Sequence, residues 1–128
     1  MIKVNVSKQS NFPVKSSLVK KRLREFLTKK GLVSDCLVSV AVVGEKEMLK
    51  LGKKYLHDPN LHNVLSFSQS EAERDFKYPP AGKIYLGEIV ICYPKVLEEA
   101  KLEGKLIDQK AYELVEHGAL HLLGFHHE

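Results

Sequence analysis

His117 and His121 stand four residues apart near the C-terminal end of the chain, and His127 follows six residues later. At about 3.6 residues per helical turn, positions four apart share a face. On a helix, both imidazoles would therefore point at one ion. Gly124 is a natural stop for such a helix, because glycine takes the left-handed C-terminal conformation without steric cost. Beyond it the chain can turn back and present His127. Three neutral imidazoles with a fourth position open to water form the ligand set of a catalytic zinc site; a structural site is more often closed by four protein ligands, usually including cysteine. A histidine cluster packed for structure and a closed metal site are the alternatives. A purification tag is not, because Leu120, Leu122, Leu123 and Phe125 make the segment apolar.

The same histidine spacing occurs in a large group of zinc proteases, where a glutamate directly follows the first histidine and activates water. Here that position is Gly118. Glu116 precedes His117, but a helix turns about 100° per residue, so its carboxylate should point off the metal face. The metal geometry is present and the protease's base is not. A bound cation lowers the pKa of water by itself, so hydrolysis remains open while peptide hydrolysis is disfavoured. Three imidazoles suit zinc, nickel, copper or iron, and availability decides among them.

The elements that position these residues follow from periodicity and turn residues. Residues 2–6 alternate as a strand with Ile2, Val4 and Val6 on one face. Ser16 or Ser17 is expected to cap a helix that runs to about Lys30 and buries Val19, Leu23, Phe26 and Leu27. Residues 37–43 form a strand. A helix from about Glu45 to Leu56 buries Met48, Leu51 and Tyr55. His57 to Asn60 is a turn, and Asn63 to Phe67 a short strand. Residues 68–82 are polar and suit a surface loop. Ile84 to Ile91 is an apolar strand. Pro94 suits the first turn of a helix that ends near Glu103 and buries Val96, Leu97 and Ala100. Asp108 is expected to cap the last helix, which carries Leu114, Val115, His117 and His121. This order predicts one α+β domain over residues 1–128, with a small mixed sheet of roughly four strands packed with helices and the metal site on the C-terminal helix.

Composition sets the class. The chain has 128 residues, 44% hydrophobic and 28% charged, which suits a soluble domain with its own core. No apolar run approaches the twenty or so residues of a membrane span. The first residues lack a signal peptide's apolar stretch, and Cys36 and Cys92 are expected to be reduced, so the cytoplasm is the expected compartment. The net charge of +4 is unevenly spread. Residues 1–34 hold nine Lys and Arg against the single acid Glu25, while residues 35–128 are net acidic. A concentrated basic surface is the footprint expected for phosphate backbones, or else a solvated helix face.

Several segments together resemble the YbeY family of bacterial rRNA-maturation endoribonucleases. The family's H-G-x-L-H-L-x-G-Y-D-H is matched from His117 to His127, with Phe125 for tyrosine and His126 for aspartate. Its L-N-x-x-Y-R followed by T-[DN]-V-L-S-F is matched by Leu51, Tyr55 and Asn63-Val64-Leu65-Ser66-Phe67, with Leu56 in place of the arginine. Its L-G-[DE]-I-x-I is matched by Leu86-Gly87-Glu88-Ile89-Val90-Ile91. The resemblance covers nearly the whole chain. It implies one Zn2+ held by His117, His121 and His127, with His126 outside the ligand set. It also implies a metal-dependent endoribonuclease directed at single-stranded RNA, whose partners are rRNA and ribosomal particles and whose roles are rRNA maturation and ribosome quality control. Leu56 cannot replace a guanidinium at a phosphate, and Lys53, Lys54 or His57 is expected to supply charge nearby. A ribosome-associated factor with weakened catalysis and a structural zinc, and a zinc hydrolase of another substrate class, are the other readings.

Overall fold

The two most continuously apolar stretches of the sequence form the two central strands of the sheet. Strands buried on both faces need apolar residues throughout, rather than in alternation. The structure, a computed structural model, describes residues 1–68 and 84–124. Within them the elements run β1 (Ile2–Lys8), α1 (Ser16–Lys29), β2 (Cys36–Val43), α2 (Glu45–Leu56), β3 (Val64–Ser68), β4 (Ile84–Cys92), α3 (Tyr93–Glu103) and α4 (Ile107–Leu122). The sheet order is β1-β2-β4-β3. β1 and β4 both pair parallel to β2, with Val4 opposite Val38 and Val40 opposite Ile89. β3 pairs antiparallel to β4, with Leu65 opposite Val90. The expected α+β class and mixed four-stranded sheet are thus the observed ones.

Each face of the sheet carries its own core. Val38, Val40, Val42, Ile89 and Ile91 pack against Leu23 and Leu27 of α1, Val96 of α3, and Ala111 and Val115 of α4. On the opposite face, Val43, Val90, Cys92, Leu65 and Phe67 pack against Met48 of α2, with Leu51 and Tyr55 at its margin. Cys36 and Cys92 are buried and unpaired, and burial pushes both thiols above their ordinary pKa.

The two helix caps differ from expectation. Ser16 is the first residue of α1 rather than its cap; Lys15 holds the cap position, and no side chain bonds there. Instead the Lys15 backbone N–H donates to Asp108 Oδ1 at 3.2 Å. Asp108 in turn is not the cap of α4, which is Leu106. It lies in the first turn, where a carboxylate suits the helix's positive end, and it serves the neighbouring helix start as well. A partner supplied across the fold has replaced the local cap. Of the polar stretch 68–82, Ser68 ends β3 and the rest lies outside the described residues.

α3 and α4 are clamped by charge. Lys110, almost fully buried, places Nζ 2.9 Å from Glu103 Oε2 and 3.5 Å from carboxylate oxygens of both Glu99 and Glu113. The Glu103 hydrogen bond, aided by the other carboxylates, raises the Lys110 pKa above its usual range. Glu99 also accepts from Asn63 Nδ2 at 3.2 Å, which ties the approach to β3 to the same network.

Candidate active site

α4 lies across β3 and β4, and one residue sets how closely. A Cβ built on Gly118 would stand 2.8 Å from Ile89 Cγ2 and 3.5 Å from Val64 Cγ2. The missing side chain lets the helix backbone settle on the sheet. It also disposes of the protease comparison in space: position 118 faces the sheet and has no room for a glutamate. Glu116 points elsewhere, beside Tyr112, where it adds to burial in pushing the phenol's pKa up.

His117 and His121 sit on the helix face beside the β3 edge. Their ring centres are 4.9 Å apart, with the planes inclined at 58°. Two imidazoles bound tetrahedrally to one ion through nitrogens at about 2.0–2.1 Å have ring centres roughly 5 Å apart, so the separation of this pair is compatible with a shared ion. His121 occupies the last turn of α4, whose negative end favours a cation. Gly124 adopts φ 90° and donates its N–H to the His121 carbonyl at 3.0 Å. The helix therefore ends where the glycine was expected to end it. His126 and His127 lie outside the described residues. Among the described residues no group of three or more His, Cys, Asp or Glu side chains could hold a metal ion, so α4 by itself offers two donors.

The histidines open onto a cleft of about 320 Å³. Its walls are His117, Gly118 and His121 on one side, and Leu56, His62, Asn63 and residues 64–67 on the other. Leu56 is 49% exposed and brings no charge. Lys53, Lys54 and His57 are not among the described residues that line the cleft. Lys54 Nζ lies 5.2 Å from the Tyr55 ring centre, and His57 takes a left-handed conformation that ends α2.

A third imidazole on the cleft is that of His62, which sequence reasoning passed over. Its Nε2 is 2.9 Å from Asp58 Oδ2, and Asp58 Oδ1 accepts the Asn60 backbone N–H at 2.9 Å. The Asn60 bond, followed by His62, holds the Asp58 carboxyl below its usual pKa. An aspartate four residues before a histidine was the available signal, but within a Pro-containing turn that spacing carries no fixed geometry.

A second unusual carboxylate lies on the α2 face of the sheet. Glu88 is 7% exposed, and burial lifts its pKa to about 7, against the opposing effect of the Tyr85 and Ser39 hydroxyls. The basic residues have a separate location. Lys21, Arg22 and Arg24 are exposed on α1, which packs on β1 and α4, while α4 reaches β3 on the far side. The basic helix and the cleft therefore flank α4 from opposite sides.

Comparisons with known proteins agree with this architecture. The family model described as Endoribonuclease YbeY matches residues 3–128. An Endoribonuclease YbeY of Thermodesulfovibrio yellowstonii is 39% identical over 92 residues, covering 72% of this chain and 54% of that protein. One from Acinetobacter baumannii is 33% identical over 132 aligned residues, covering 99% of this chain and 82% of that protein. Among solved structures, the solution structure of TM1509 from Thermotoga maritima matches 98% of this chain and 75% of that one, with a TM-score of 0.59 at 25% identity.

Proposed function

Because the chain belongs to the endoribonuclease YbeY family, we propose that it hydrolyses phosphodiester bonds within single-stranded RNA. Its substrate is ribosomal RNA in maturing ribosomal particles in the cytoplasm, and its activity serves rRNA maturation and ribosome quality control. One divalent ion, with zinc the leading candidate, is held by His117, His121 and His127. The observation that carries this reading is the His117–His121 pair, two imidazoles on one helix face opening onto a cleft. A metal ion there supplies positive charge to a phosphate oxygen and acidifies water.

The chain's own residues supply the rest. Gly118 lets α4 lie low enough for the histidines to form one wall of the cleft. Asn63, gripped by Glu99, forms part of the other. Lys20, Lys21 and Arg24 provide phosphate contacts beyond α4, and affinity resting on such contacts is salt-sensitive. Leu56 favours a second reading, a ribosome-associated factor with weakened catalysis, because the described residues of this wall of the cleft include no guanidinium.

The deciding experiment is a nuclease assay on single-stranded and structured RNA. Native protein should cut the single-stranded substrate, and both metal-stripped protein and His121→Ala should not. Binding to ribosomal particles without cleavage by the native protein would select the second reading. Cleavage that survives both metal removal and His121→Ala would overturn the metal-dependent one.

A further inference from the structure

Three titratable side chains line the cleft among the described residues: His62, His117 and His121. The last two are committed to the metal ion under the function proposed above. Position 118, which holds the proton acceptor in the zinc-protease pattern, faces Ile89 and carries no side chain. Among the described residues, His62 is then the remaining proton-transfer group on these walls. It also departs from the family pattern quoted earlier, which has threonine directly before the Asn63 position.

The ring is held in one orientation. Its Nε2 meets Asp58 Oδ2 at 2.9 Å, and Asp58 is itself fixed by the Asn60 N–H. An ionised carboxylate only accepts hydrogen bonds, so Nε2 carries the hydrogen. In the neutral ring this leaves Nδ1 with its lone pair. The ring packs over Gly52, where an added Cβ would lie 3.3 Å from His62 Cδ2. A carboxylate that sets the tautomer and orientation of an imidazole, leaving the opposite nitrogen bare, is the arrangement of the histidine base in hydrolytic triads.

We propose that the Asp58–His62 pair is the proton acceptor for the water that cleaves the phosphodiester, a role that rests on the ribonuclease reading and deepens it. The water gives one proton to His62 Nδ1 while its oxygen bonds to phosphorus. The bond between phosphorus and the leaving ribose oxygen breaks, and its electron pair stays with that oxygen. The leaving oxygen takes a proton from solvent, and the imidazolium returns its own to solvent. One water is consumed and His62 ends neutral.

The test is steady-state cleavage of a labelled single-stranded oligoribonucleotide by metal-replete protein. His62→Ala and His62→Gln should each lower kcat by about a hundredfold or more, the scale of a lost general base, with little change in KM. Asp58→Asn should lower kcat too, and the double variant should lose little beyond the His62 variant alone, because the two act as a unit. Added imidazole should restore part of the His62→Ala rate and leave the wild type unchanged. Metal content and melting temperature of His62→Gln should match the wild type. Full kcat in His62→Gln would overturn the proposal, and loss of metal from that variant would make His62 a ligand instead. A wild type that cuts no RNA removes the ribonuclease reading itself; a cutting wild type with unaffected His62 variants removes only this inference.

Discussion

Gly118 of α4 rests directly on Ile89 of β4, with only 2.8 Å between the place a Cβ would occupy and Ile89 Cγ2. The position that holds a catalytic glutamate in the zinc-protease pattern is here a packing contact. Gly118→Glu should therefore create no peptidase. It should destabilise the fold by about 3 kcal/mol or more, because it forces both overpacking and a buried charge. Gly118→Ala should cost about 1–3 kcal/mol from overpacking alone. Urea unfolding of the three proteins measures the order; a Gly118→Glu variant as stable as the wild type would contradict this packing.

Metal content tests the three-histidine centre. Elemental analysis of gently purified protein should find about one equivalent of a divalent transition metal, as a three-imidazole site holds one ion. His117→Ala, His121→Ala and His127→Ala should each lose it, and His126→Ala should keep it. Retention in His127→Ala with loss in His126→Ala would reassign the third ligand.

Glu88 predicts an inverted pH dependence. Its carboxyl titrates near 7 in the folded protein, against an ordinary value of 4.5. Below the lower value both folded and unfolded chains hold the proton, and the contribution to stability is complete. Between the two, the unfolded chain releases its proton first, so stability falls as pH rises toward 7. At pH 8 the loss is on the order of 3 kcal/mol. Glu88→Gln should therefore melt higher than the wild type at pH 8, and the gain should vanish near pH 4. A gain that stays constant across this range would disprove the assignment.

The basic helix predicts a salt effect. Replacing Lys20, Lys21 and Arg24 by glutamine should weaken RNA binding and flatten its dependence on salt, since fewer counterions are released. Metal content should not change, and stability should move by about half a kcal/mol or less per site. An unchanged salt slope would mark α1 as a solvated face and leave binding to the cleft.

Local features of this fold were legible in the sequence where the period and the turn residues agreed. α2 begins at Glu45 and ends at Leu56, as its pattern implied, and the spacing of His117 and His121 did bring their rings together. Strand order was not legible, because no local pattern says that β4 inserts between β2 and β3. Lys110 would read as a solvent-facing lysine; only the packing of α3 on α4 surrounds it with carboxylates. Asp108 has the chemistry of a cap, yet it bonds a helix start far away in the chain. His62 was missed for the same kind of reason. Its proposed role rests on its contact with Asp58 and on a cleft whose other wall α4 contributes.

The two walls of the cleft come from distant parts of the chain, the segment from Leu56 to Phe67 and the later helix that carries His117 and His121. During synthesis the first wall emerges well before the second, and neither forms a cleft alone. The helix docks on the paired β3 and β4, so the pairing of these strands supplies the surface on which the second wall is completed. Under the proposed function, a half-folded copy lacks one wall of the cleft that would hold RNA. Completion of the fold and completion of the cleft are then one event.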